Sequence, residues 1–336
     1  MVLFFFHYNK IFDQLKSFDR PANVEMKNIN FGLKDYLKRS NKLSEVELSF
    51  SPNVVFSIFG PSYWTPKSNH LMGFALPWLI NPESQAFNLL PLKERLKKRL
   101  QNQIKKYFTK KNANYYVVET EDVKNRLAQF LNIPLENTWV ADNTYNQFFK
   151  NAEKVLRIKS NVFKFITISA NYPHKNLSVL NAVVEELKKR SIRASFTLTI
   201  PQEDYNKLFF KHKDVIHNLG PIQAKDCPQQ YTDHDALFLP TLLECFTASY
   251  PEAMVMKRPI LTSDLGFAKT ICGENNALFF DPLNPQDICD TIELIINDEA
   301  LYNKLVQNGE EWVKCFQNET QRAQTYTSVL EAIGKE

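Results

Sequence analysis

The sequence predicts a two-domain α/β protein whose second half is a doubly wound parallel sheet. Length is the first observation: 336 residues are about twice an ordinary domain, enough for two cores. The second is an alternation, from Asn161 onward, of short apolar runs with amphipathic helical stretches, the pattern of parallel strands joined by crossover helices. The third is composition: 44% hydrophobic and 23% charged residues suit a soluble globular chain.

In the second half the expected strands are Val162 to Ser169, Ala194 to Ile200, Val215 to Leu219, Ala236 to Leu239, Ile260 to Thr262 and Leu278 to Phe280. Helices fill the gaps, including Leu177 to Lys189 and Pro285 to Ile296. With the common strand order 3-2-1-4-5-6, the first and fourth strands are neighbours. Their carboxyl ends then open on the crevice where the winding reverses, the place such sheets hold ligands.

The first half is less regular. Apolar runs at Val2 to Phe6, Val54 to Phe59, Leu71 to Ile80 and Tyr115 to Val118 are compatible with a second α/β layer. Polar, irregular Asp142 to Lys150 reads as the linker, giving expected domains at 1–150 and 151–310. The last stretch, Glu310 to Glu336, reads as helix; as a unit of 311–336 it can pack on either domain, crossing back to the first in one arrangement.

Several classes are excluded. The opening MVLFFFHYNK has too short an apolar run for a signal peptide, no basic leader and no small-residue cleavage site, and reads as a buried strand. No stretch of about 18 apolar residues occurs, so no transmembrane helix is expected. Cys227, Cys245, Cys272, Cys289 and Cys315 are odd in number without a C-x-x-C pair, against a disulfide framework or thiolate zinc site and in keeping with a reducing cytosol. Only eight glycines and no G-x-G-x-x-G after a strand exclude a nicotinamide dehydrogenase.

Chemistry concentrates after the first and fourth strands of the second half. After the fourth come Glu244, on a loop, and Glu252, in the first turn of a helix starting near Ser249 and Pro251. A carboxylate accepts two hydrogen bonds in a plane and suits a vicinal diol, while amides at a helix start attract phosphate; together they describe a nucleotide-sugar site. Ser249-x-x-Glu252 also fits a capping box, which alone would account for Glu252. After the first strand, in SANYPHKNL, Lys175 would set a cation across from the helix start near Thr247 to Ser249, with room for a diphosphate between; a solvated loop lysine is the plainer alternative.

Other features carry two readings each. Asp233-His234-Asp235 has D-x-D spacing but precedes the fourth strand, at the end of the sheet that does not host sites, so no metal is expected. His70, in HLMGFALPW, either faces the donor sugar across the cleft or is a satisfied structural histidine. Leu92, Leu96, Leu100, Ile104 and Phe108 recur every four residues, and from Lys93 to Lys111 nine lysines and arginines face one acid, Glu94. That helix is either an ordinary crossover helix with a solvated face or a dock for an anionic membrane. With a net charge of +4, nucleic acid is not an expected partner.

These pieces together resemble the retaining glycosyltransferases of family 4. The resemblance covers most of Asn161 to Gly309: the Glu-x7-Glu pair, PEAMVMKRPILTSDLGFAKTI after it, NLGPIQAKDCPQQYTDHDALFLPT before it, and SANYPHKNL. FGPSYWTPK, HLMGFALPW and YYVVETEDVKNRLAQFLNIP look like the acceptor-side domain more faintly. The resemblance implies the GT-B fold, two facing Rossmann-like doubly wound domains with a cleft between them. It also implies roles: Lys175 on the donor diphosphate, Glu252 on the ribose, Glu244 on the transferred sugar, amides of Phe246, Thr247, Ala248 and Ser249 as phosphate cradle, and Gly220, Pro221 and Ile222 beside the base.

In the family's scheme the departing phosphate takes the acceptor proton on the same face, so configuration is retained and neither metal nor cofactor is needed. Three departures stand out: Ser169 where the family commonly has arginine, Thr247 where it has glycine, and no glycine-rich loop early in the first domain. Either the chain begins late or that domain has diverged, and Lys175, helix amides and His174 are left to balance the phosphate. The expectation is a cytoplasmic hexosyltransferase acting on a glycan or lipid-linked glycan in bacterial capsule, O-antigen or exopolysaccharide assembly, peripheral on the inner membrane face. The alternative is a noncatalytic binding subunit on the same scaffold.

Overall fold

The computed structural model describes residues 2–6, 19, 22–28, 39–155, 157, 160–208 and 210–335. The first half holds β1 (Val2–Phe6) paired in parallel with β2 (Val24–Asn28). Whether the opening run is buried lies outside the described residues. A separate four-stranded parallel sheet runs β3 (Val54–Ser57), β4 (Asn69–Gly73), β5 (Tyr115–Val118) and β6 (Thr138–Val140), in that order. Two of these were not expected: β2 alternates apolar and charged residues, and β6 is a three-residue edge.

The run Leu71 to Ile80 is not one element. β4 ends at Gly73, and a short helix, Pro77–Ile80, starts with proline at its first position, where a missing N–H costs nothing. Likewise β3 stops at Ser57, leaving Ile58 and Phe59 exposed.

The second half is a six-stranded parallel sheet of β7 (Phe163–Thr167), β8 (Ala194–Leu198), β9 (Ile216–Asn218), β10 (Ala236–Leu239), β11 (Ile260–Ser263) and β12 (Leu278–Phe280). Its order is β12-β11-β10-β7-β8-β9, the 3-2-1-4-5-6 arrangement, so β7 and β10 are the central neighbours. On one face the rings of Phe165 and Phe196 stack at 5.1 Å and those of Phe238 and Phe280 at 5.4 Å. Helices Leu180–Lys189 and Pro285–Asn297 close over them with Val183, Val184, Leu187, Ile288, Ile292 and Ile295. The other face is covered by helices Ser249–Val255 and Gly266–Cys272. Both faces are dry, which is why the strands read as apolar runs rather than alternations.

The stretch 142–150 is irregular, with one short turn at Gln147–Phe149 that delivers Phe149, fully buried, against Tyr231 of the second half. The expected helix from Glu310 to Glu336 is broken. Helix Glu299–Trp312 ends, and a new one, Glu319–Ile333, begins with a capping box in which Asn318 and Gln321 bond each other's amides at 2.9 Å. That second helix lays Val329 and Ile333 against Leu71 and Val117, so the chain ends on the first sheet. Among the described residues no helix is long and apolar enough to cross a membrane.

Candidate functional site

The site forms where β7 and β10 end. The Thr167 hydroxyl donates to the carbonyl of Phe238 at 2.6 Å, stitching the two strands at their carboxyl ends. The chain after β7 makes a tight turn, Pro173–Lys175, closed by Asn176 at φ 55°, a left-handed conformation that asparagine tolerates. Asn176 Nδ2 donates to Pro282 O at 2.7 Å and fixes the turn to the loop after β12. The chain after β10 is tied to the same turn, with Leu242 N donating to His174 O at 2.7 Å.

Between these two braced loops Lys175 Nζ donates to Glu244 Oε1. The Thr241 hydroxyl donates to that oxygen as well, at 2.9 Å. The two side chains are only 12% and 9% exposed, so the ion pair is held largely out of water, where pairing and an extra hydrogen bond offset the desolvation of both charges. Residues 69 positions apart in sequence thus meet in one contact.

Glu252 lies one turn into helix Ser249–Val255 and is not a cap. The Ser249 hydroxyl donates to Ile168 O at 3.2 Å, while Glu252 Oε2 accepts from the Tyr231 hydroxyl at 3.1 Å. Burial pushes its carboxyl up to about 7, and the Tyr231 bond opposes that only in part. The Ser249 bond also brings the helix start, with the backbone of Phe246, Thr247 and Ala248, against the end of β7. Gly220, at φ 76°, turns the chain after β9, and Ile222 packs on the cluster that contains Tyr231 and Tyr250.

Two readings offered by the sequence, His70 facing the donor sugar and His174 helping to balance the phosphate, do not hold at this site. His70 is the second residue of β4, at the amino end of its strand, fully buried, with Nδ1 on Asn112 O at 2.5 Å and Nε2 on Ser57 Oγ at 2.9 Å. It has no free nitrogen and no surface to offer a donor sugar. His174 is no cation: its Nδ1 accepts from Trp78 Nε1 at 3.2 Å, and burial, with Lys175 and Lys98 nearby, lowers its pKa to about 3. Asp235 is committed to Arg157 and to the Lys164 amide, both at 2.7 Å.

Sequence reasoning missed what surrounds the pair from the first half. Trp78 reaches the Lys175 turn through His174; Leu242 and Leu243 pack with Ala86 and Trp78; Cys245 is buried in the first sheet's core beside Phe74 and Leu79. The signal was the run Leu242-Leu243-Glu244-Cys245, too apolar for an exposed loop.

Residues 148–312 match the family model described as Glycosyl transferases group 1. No curated protein matches the sequence. Among solved structures, a glycosyltransferase from Rickettsia africae is similar at TM-score 0.71 and 15% identity, covering 98% of this chain and 89% of that one. HepE of Anabaena, in complex with UDP and glucose, is similar at TM-score 0.70 and 14% identity, covering 98% and 91%. WaaG, a glycosyltransferase involved in lipopolysaccharide biosynthesis, is similar at TM-score 0.69 and 11% identity, covering 98% of both chains. At such identities the likeness establishes the fold: two parallel-sheet α/β domains in the GT-B arrangement. Fold and family match together support a GT-B glycosyltransferase, and the group 1 match falls on the half that carries Lys175, Glu244 and Glu252.

Proposed function

We propose that the chain is a retaining, metal-independent glycosyltransferase that moves a sugar from a nucleotide-diphosphate donor to a glycan acceptor. The observation that carries this is the Lys175–Glu244 contact, braced from both loops at the carboxyl ends of the central strands. When donor binds, Lys175 exchanges Glu244 for the diphosphate. The freed carboxylate, still held by Thr241, accepts a hydroxyl hydrogen of the sugar.

In the transfer step the bond from the anomeric carbon to the diphosphate oxygen breaks, and the acceptor oxygen bonds that carbon on the same face. The acceptor's proton passes to the departing phosphate. Negative charge grows on the phosphate as the bond lengthens, and Lys175 with the amides of Phe246 to Ser249 stabilises it, each fixed donor contributing about 3 kcal/mol. Glu252 takes the ribose hydroxyls, and Gly220, Pro221 and Ile222 border the base.

The structures of HepE with UDP and with UDP-glucose support a nucleotide-sugar donor. The role of WaaG in lipopolysaccharide biosynthesis supports a surface-polysaccharide precursor as acceptor, used on the cytoplasmic side of the membrane. A noncatalytic role is favoured by one observation: Ser169, where the family commonly has arginine, spends its hydroxyl on Ala170 O.

The test is a thermal-shift panel of UDP, GDP, ADP and TDP, followed by release of nucleotide from a labelled donor with native membrane lipids. One diphosphate should raise the melting temperature, since ligand at about 100 times its dissociation constant adds about 2.7 kcal/mol. Lys175→Ala should weaken that nucleotide about tenfold or more, and Glu244→Gln should slow transfer about a hundredfold while leaving nucleotide affinity nearly unchanged. Binding without release from any donor selects the noncatalytic reading; no binding by any nucleotide removes both.

A further inference from the structure

Helix Leu92–Asn112 is built inside out. The side it turns toward the protein is polar: Asn102, Thr109 and Asn112 are its buried residues. Asn102 donates to Trp78 O at 2.8 Å and Asn112 to Thr65 Oγ1 at 2.7 Å. Lys98 and Lys106 lay their ammonium groups over the rings of Trp78 and Phe130, at 5.0 Å and 4.2 Å.

The side it turns outward is apolar. Leu92, Leu96, Leu100 and Ile104 are 69%, 59%, 65% and 48% exposed, and Tyr107 continues the row. Spaced by three or four residues, they form one stripe about 22 Å long. The Tyr63 ring, meeting Phe108 at 5.1 Å, extends its far end. A crossover helix normally spends such a stripe on its own core.

Exposed Lys93, Lys97, Arg99, Lys110 and Lys111 accompany the stripe, and only one acid, Glu94, occurs between Lys93 and Lys111. We propose that this face docks on an anionic lipid bilayer, leucines in the acyl boundary and basic side chains among the headgroups. Charge selects the occupant. A second copy packed stripe to stripe would set two strongly cationic helices together, and nucleic acid would leave the aliphatic row in water. No donor-site residue enters the proposal, so it stands or falls apart from the transfer reaction.

Sedimentation of the full chain with vesicles tests it. The protein should pellet with phosphatidylcholine vesicles containing phosphatidylglycerol, stay in solution with phosphatidylcholine alone, and be released by salt. The double variant Leu96→Glu, Leu100→Glu should lower vesicle affinity about tenfold or more with an unchanged melting temperature. Lys93→Gln with Lys97→Gln should lower it about thirtyfold, at roughly 1 kcal/mol per basic residue. Leu294→Glu, on helix Pro285–Asn297, should bind vesicles like the unaltered chain. The proposal is overturned if the unaltered protein ignores anionic vesicles at low salt, if the leucine variant pellets undiminished, or if that variant instead dissolves a dimer on gel filtration.

Discussion

The two sheets spend their apolar residues differently. In the second half, crossover helices Leu180–Lys189 and Pro285–Asn297 turn Val183, Leu187, Ile288 and Ile292 into the core. In the first, helix Leu92–Asn112 turns asparagines inward and leucines out. The same four-residue periodicity therefore marks core in one half and free surface in the other. A hydrophobic stripe tells where apolar side chains align, and only the identity of the opposite face tells which way they point.

Substituting on both sides sharpens this contrast. Phe165→Ala, in the ring stack of the second sheet, should destabilise the protein by about 3–5 kcal/mol in urea titration; a loss under about 1 kcal/mol would mean that the stack is not the packed centre its burial implies.

Glu252→Gln should act in the opposite direction. A buried carboxyl raised from 4.5 to about 7 binds more protons folded than unfolded between those values, so the ligand-free protein loses stability as pH rises through that window. The amide variant should recover up to about 3 kcal/mol at pH 8, read as a higher melting temperature, while binding nucleotide more weakly. In the unaltered chain, hydroxyls donated to Glu252 favour its ionised form, so nucleotide affinity should fall as pH drops below about 7. A pH-independent affinity would separate Glu252 from the ligand.

Trp78→Phe keeps an aromatic side chain but removes the N–H that bonds His174; about 1 kcal/mol or more of stability should go, with looser nucleotide binding because the Lys175 turn loses a support. Smallest of all, Leu100→Gln should change stability by less than about 0.5 kcal/mol, although a leucine on the second half's inward faces would cost several times that.

Legibility followed the same division. The strands of the second half were readable because the sheet's centre is buried on both faces, β10 and β11 throughout, and the site loops because they follow the first and fourth strands. β2 and β6 escaped because short strands at edges carry mixed residues. Glu252 was ambiguous from Ser249-x-x-Glu252 alone; only the bond to Tyr231, 21 positions earlier, separates it from a cap. Trp78 was invisible as a site residue because its partner, His174, is 96 positions away and belongs to the other half.

Among the described residues the chain passes between the halves twice, at 142–150 and again near 313–318, and Lys150 meets Glu319 at 2.6 Å where the two passages come together. A single tether lets two bodies wander in every direction. A strap two chains wide bends about its own line and resists twisting and sliding. Any parting of the halves would therefore follow one rocking direction about that line, and the Trp78–His174 bond is a contact it would break.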